Sequence, residues 1–153
     1  MALGITGSEA IEIMKTQFPT DWQTRVSNSI VKIKTAMRLY KLSALESYAK
    51  YVRQTEDRQN SIASLAAVQI MNYNFITLKK IRSIETQERL IMANLEALEK
   101  SNAYDYEDKR LLRNHYTSKQ NECRSEVQQL LESIEVIGAD SILYQPGIFD
   151  TLN

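Results

Sequence analysis

The sequence predicts an all-α fold, an elongated bundle of about three long helices. Two observations carry that prediction. Thr20 to Ile137 runs for 118 residues with no Gly or Pro; all four glycines (Gly4, Gly7, Gly138, Gly147) and both prolines (Pro19, Pro146) lie outside it. Those two residue types are the strongest local helix breakers. Within the span, apolar side chains recur at alternating steps of three and four residues, the repeat of knobs-into-holes packing. At 153 residues, 43% hydrophobic and 25% charged, the chain is long enough for one domain with a real core.

Residues 1–19 read as an N-terminal arm. Thr6-Gly7-Ser8-Glu9 fits a capping box, and Ala10, Ile11, Ile13, Met14 and Phe18 give a short amphipathic helix. Pro19 ends it, because the residue before proline is pushed out of the helical region. Thr20-Asp21-Trp22-Gln23 reads as a second capping box that starts a helix over 20–53. Its stripe steps through Trp22, Val26, Ile30, Ile33, Met37, Tyr40 and Ala44. Residues 53–61 contain nothing apolar, which suggests a turn near 55–61.

A second long helix is expected over 61–100. Ile62 to Leu78 is its most apolar part, and its apolar residues do not keep to one face. A helix of that kind is covered on more than one side. It fits a bundle core or an oligomer interface; a membrane-active segment fails on length and on Gln69, Asn72 and Asn74. Beyond it, Ile81, Ile84, Ile91, Leu95 and Leu98 sharpen the stripe, with Glu88 interrupting. Asp105 is the N-cap expected for a third helix over 105–137, with Glu107 and Asp108 in its positive first turn. Cys123, Val127, Leu130, Ile134 and Ile137 carry its stripe, and Gly138 is placed to end it. Residues 138–153 form a short apolar tail around a Gln145-Pro146-Gly147 turn, expected to dock on the bundle or on a partner.

Nineteen basic residues balance nineteen acidic ones, so a general nucleic-acid footprint is missing. The balance is uneven along the chain: residues 20–60 hold eight Lys/Arg and four Asp/Glu, residues 101–153 five and nine. The first long helix and the last should therefore attract, which sets orientation more than stability. A lone cysteine, Cys123, forms no internal disulfide. No apolar run is long enough to span a membrane. Glu9 and Glu12 stand where a secretory signal would be apolar, so the chain is expected in the cytoplasm or in a particle assembled there.

Chemistry is hard to place on this pattern. His115 is the single histidine, and Cys123 lies two helical turns away, about 12 Å at 1.5 Å per residue, too far to pair. His115 reads as a surface histidine and Cys123 as a small core hydrophobe. A di-iron bundle needs Glu-x-x-His on two helices. No zinc, nucleotide or phosphate-loop motif occurs. The expectation is a chain with no catalytic residues, cofactor or metal.

These features point to a non-enzymatic structural or assembly protein, a homo-oligomer or helical subunit of a multi-subunit particle. In general build it resembles small helical proteins of phage virions and of secretion or conjugation machines. The expected partner-facing residues are Ile62, Leu65, Val68, Ile70, Phe75 and Ile76 in the apolar helix, with Ile142, Leu143, Tyr144, Ile148 and Phe149 in the tail. The alternative is a nucleic-acid-binding or packaging protein using the basic helix 25–53 through Lys32, Lys34, Arg38 and Lys41.

Overall fold

A computed structural model describes residues 4–54, 58–134 and 147–149. Among them the chain is helical and contains no strand. Six helices follow in order: α1 (Gly7–Gln17), α2 (Trp22–Tyr40), α3 (Ser43–Arg53), α4 (Arg58–Tyr73), α5 (Phe75–Lys100) and α6 (Tyr106–Glu132).

The all-α class holds, but the three uninterrupted long helices do not. The helix expected over 20–53 breaks at Lys41, and the one over 61–100 breaks at Asn74. Neither break uses Gly or Pro. Lys41 adopts φ 68, ψ −163, a region that side-chain-bearing residues avoid. Past it the apolar stripe restarts out of phase, at Leu42, Leu45, Ala49 and Val52, all buried. Tyr40, expected on the inward stripe, turns out to solvent. At the second break, the Asn74 side-chain amide donates to the Ile70 carbonyl (2.7 Å), satisfying a group that the ending of α4 leaves bare. The third helix ends at Glu132, and residues 135–137 and Gly138 lie outside the described residues, as do 55–57 of the expected turn.

Capping follows the sequence in two places of three. Thr6 accepts from the Glu9 backbone (3.1 Å) and Asp105 from the Asp108 backbone (2.8 Å). The second capping box does not form: Asp21 is the N-cap of α2, and its carboxylate instead pairs with Arg25 (2.8 Å).

Helices α1, α2 and α3 pack around α4 as a compact head. That explains why α4 has no polar face: Leu65 to Tyr73 are buried without a gap. Burying a side chain the size of Leu65, Ile70 or Met71 stabilises by about 1.5–3 kcal/mol. The N-terminal arm helix is part of this core, with Ala10, Ile11 and Met14 buried. It runs antiparallel to α4, since Ser8 bonds the Tyr73 hydroxyl (2.8 Å) while Met14 shares a cleft with Ala63 and Ser64.

Helices α5 and α6 form an antiparallel hairpin, each about 40 Å long at 1.5 Å per residue, whose near end joins the head's core through Leu78, Ile81 and Leu131. Ile81, Ile84, Glu88, Ile91, Leu95 and Leu98 alternate along its α5 seam, and Cys123, Val127 and Leu131 along its α6 seam. Arg113 closes the far end on Glu99 through a two-pronged contact (2.6 and 3.1 Å). At the near end Arg38 of α2 meets Glu132 of α6 (3.8 Å), the attraction expected between the basic and acidic helices.

The backbone at Lys41 yields a prediction. Lys41→Gly should relieve a conformation costing about 1–3 kcal/mol, partly offset by glycine's larger unfolded-state entropy. A net gain of about 1 kcal/mol is expected, read as a melting temperature raised by roughly 2–4 °C.

Candidate functional site

The described tail residues are held by one side chain. Asn72 is fully buried near the end of α4. Its backbone carbonyl accepts from the Ile148 amide (3.1 Å). Its side-chain oxygen accepts from the Phe149 amide (2.8 Å), and its side-chain nitrogen donates to the Phe149 carbonyl (3.2 Å). A primary amide carries an acceptor and donors side by side. Asn72 therefore reads the backbone of Phe149 as a neighbouring strand would. Ile148 and Phe149 pack against the core, and the Arg82 guanidinium lies 5.6 Å from the centre of the Phe149 ring. Gly147 fits because it lacks a Cβ; one placed there would collide with the Asn72 amide.

A second polar cluster sits where the head meets the hairpin. The Leu42 backbone N–H, at the start of α3, donates to Glu85 of α5 (2.6 Å). This contact crosses from hairpin to head and braces the chain just past the strained Lys41. Burial pushes the Glu85 carboxyl above its ordinary value, against the opposing pull of the Leu42 N–H, Lys41 and Arg89. One turn on, Glu88 occupies a seam position and is only 5% exposed. Arg124 (3.4 Å) and Gln120 (3.5 Å), both of α6, reach its carboxylate. Arg38, Lys41, Glu85, Glu88, Arg124 and Gln128 line a cleft of about 340 Å³ between the two parts.

The outer surface of the hairpin is apolar in patches. Ile76 is 64% exposed, Leu90 63% and Tyr106 76%; Met92, Tyr104 and Leu111 are exposed as well. Near the head, Ile84 and Leu130 open into a groove of about 430 Å³ between α5 and α6.

The expected partner-facing residues divide. Leu65, Val68 and Ile70 are enclosed by the chain's own head, because α1, α2 and α3 already cover α4. Ile62 is partly buried against that core and Phe75 is half-buried, whereas Ile76 faces water. Ile148 and Phe149 sit in the Asn72 clamp. Ile142, Leu143 and Tyr144 lie outside the described residues. The four cations of the basic helix do not form one open stripe. Lys32 is exposed beside Arg25 and Asn28; Arg38 pairs with Glu132; Lys41 sits at the break beside Glu85; Lys34 is half-buried and has an interaction of its own.

His115 is exposed on α6, its ring edge-on to Tyr116 at 5.6 Å. Cys123 is buried in the hairpin seam; burial first, then Glu126, Glu88 and Glu122, push its thiol up, away from the reactive thiolate. Among the described residues no group of His, Cys, Asp and Glu is placed to hold a metal, and no helix is long and apolar enough to cross a membrane. No family model matches the chain, and no curated protein or solved structure is significantly similar to it.

Sequence reasoning noted Asn72 and Glu88 only as polar interruptions and passed over Glu85. Two of them carried a signal: Asn72 is an amide inside an apolar run, and Glu88 is a carboxylate on a seam.

Two outcomes follow. Asn72→Ala should destabilise by about 1–2 kcal/mol, since it removes two hydrogen bonds and leaves part-buried Phe149 groups without those partners. Amide exchange at Ile148 and Phe149 should rise in the same variant. Glu85 sets a pH dependence: its folded-state pKa is raised, so the folded chain binds that proton more tightly than the unfolded chain does. The benefit is full below the ordinary value of 4.5 and is lost as pH climbs through the raised value. Glu85→Gln keeps an acceptor for Leu42 and cannot ionise. In urea titrations, wild-type stability measured against this variant should therefore fall between pH 4 and neutrality.

Proposed function

We propose that this chain is a non-enzymatic structural subunit that associates, with copies of itself or within a larger particle, through the outer face of the α5–α6 hairpin. A virion or a secretion machine is the kind of particle its build resembles. One observation carries the reading. One end of the hairpin is seated in the head's core through Leu78, Ile81 and Leu131, while Ile76, Leu90, Met92, Tyr104, Tyr106 and Leu111 face water. The head exposes Val31, Leu39, Tyr40 and Tyr51 as well, but six of the ten such residues lie on the hairpin, on both flanks of α5, and a partner embracing it would cover them. The internal covering of α4 moves the expected contact from that helix to the hairpin. The Glu85 carboxyl, pushed up by burial against the pull of the Leu42 N–H, has a structural partner in that N–H and needs no chemical role.

Light scattering tests the proposal. Mass should exceed the 17.6 kDa of one chain and rise with concentration. Leu90→Glu combined with Met92→Glu should return it to one chain with helical content unchanged. A single-chain mass at millimolar concentration would sink self-association, and a double variant that assembles like wild type would remove the hairpin face from it.

A further inference from the structure

Most cations whose side chains are described hold a carboxylate, as Lys15, Arg25, Arg38 and Arg113 do. The exceptions gather on the first half of α5. Lys79, Lys80, Arg82 and Arg89 are all exposed there and form no ion pair among the described residues. The same stretch carries two acids, but both are drawn inward. Glu85 accepts from the Leu42 N–H (2.6 Å), and Glu88 is buried in the seam beside Arg124 (3.4 Å). Lys80 borders the groove that Glu126 also lines, which leaves Lys79, Arg82 and Arg89 as a cationic ridge. The neutrality of the whole chain hides this local excess.

We propose that this ridge binds the phosphate backbone of a nucleic-acid duplex. Lys79, Arg82, Thr86 and Arg89 step by three, four and three residues, so they stand in one file along the helix. The file is ordered in advance. The Thr86 hydroxyl donates to the Arg82 carbonyl (3.1 Å) and accepts from the Arg89 guanidinium (3.1 Å). Lys79 lies 5.6 Å from the centre of the Phe75 ring and Arg82 5.6 Å from that of Phe149. From Lys79 to Arg89 the file covers about 15 Å at 1.5 Å per residue. Phosphates recur about every 3.4 Å along each strand of a duplex, so the file spans roughly four of them. Both rings are half-buried and faced by the ridge's own cations, so the feature suits phosphates rather than unpaired bases. A lipid surface fits less well: it needs a continuous apolar stripe among the cations, and here Ser83 and Thr86 stand between Ile76 and Leu90.

Titrating the full chain into a short labelled DNA duplex, read by fluorescence anisotropy, tests this. Binding should appear at low salt and weaken with a slope of about −3 in log affinity against log salt, about −0.9 for each of three phosphate contacts. Replacing Lys79, Arg82 and Arg89 by Ala should weaken binding roughly tenfold or more and flatten the slope. The pair Lys79→Ala and Arg89→Ala leaves the Arg82–Phe149 contact in place and should bring the slope to about −1. Removing the same charge elsewhere, at Lys32, Lys50 and Lys109, should cost less than about twofold. Absence of binding at low salt overturns the proposal, as does an equal loss in the charge-matched variant. Preference for anionic phospholipid vesicles or for poly-glutamate over the duplex overturns it too. The titration is read at a protein concentration where light scattering gives the mass of one chain, so binding and assembly succeed or fail separately.

Discussion

The structure depends on the enclosure of α4. Its residues from Leu65 to Tyr73 have no side open to water, so the surrounding helices are obliged to close round it. That obligation fixes the break at Lys41, since an unbroken α2–α3 rod covers only one flank. It also draws α1 inward, where Gly7 lets the backbone come against Gln69. The positive φ at Lys41, costing about 1–3 kcal/mol, is small beside the apolar burial that Leu42, Leu45, Ala49 and Val52 gain from it.

Polar side chains then settle how the parts meet. Asn74 closes the end of α4, Asn72 holds the tail, Glu85 bonds the start of α3, and Glu88 sets a polar layer in the hairpin seam. Each lies in or beside apolar surroundings and each has a named partner. A buried polar group is costly unless satisfied, and for that reason it permits few alternative arrangements. Glu88 with Arg124 and Gln120 disfavours a hairpin slipped by one heptad toward Val127 and Leu131, which would leave the carboxylate opposite apolar side chains.

The all-α class was legible because Gly and Pro are kept out of 118 consecutive residues. The breaks were not legible, because they are made by Lys41 and Asn74, whose own preferences do not demand them. The chain just past Lys41 is held at the Leu42 N–H by Glu85, forty-three residues away in sequence; a phase slip in the stripe, five residues from Met37 to Leu42, was the one local trace. Apolar content showed that α4 is covered all round, but pattern alone does not say whether the cover is the same chain or another. Hence Leu65, Val68 and Ile70 read as interface from the sequence and are core in the fold. The clamp was hidden for a similar reason: Asn72 and Phe149 are 77 positions apart.

Native-state hydrogen exchange, resolved by residue, tests the enclosure of α4 most directly. Amides from Leu65 to Met71 should exchange only through global unfolding, with the denaturant dependence of the whole chain, while those near Leu98 to Arg113 exchange through local opening at the hairpin's far end. Exchange in α4 as fast as at that end, insensitive to denaturant, would contradict the account.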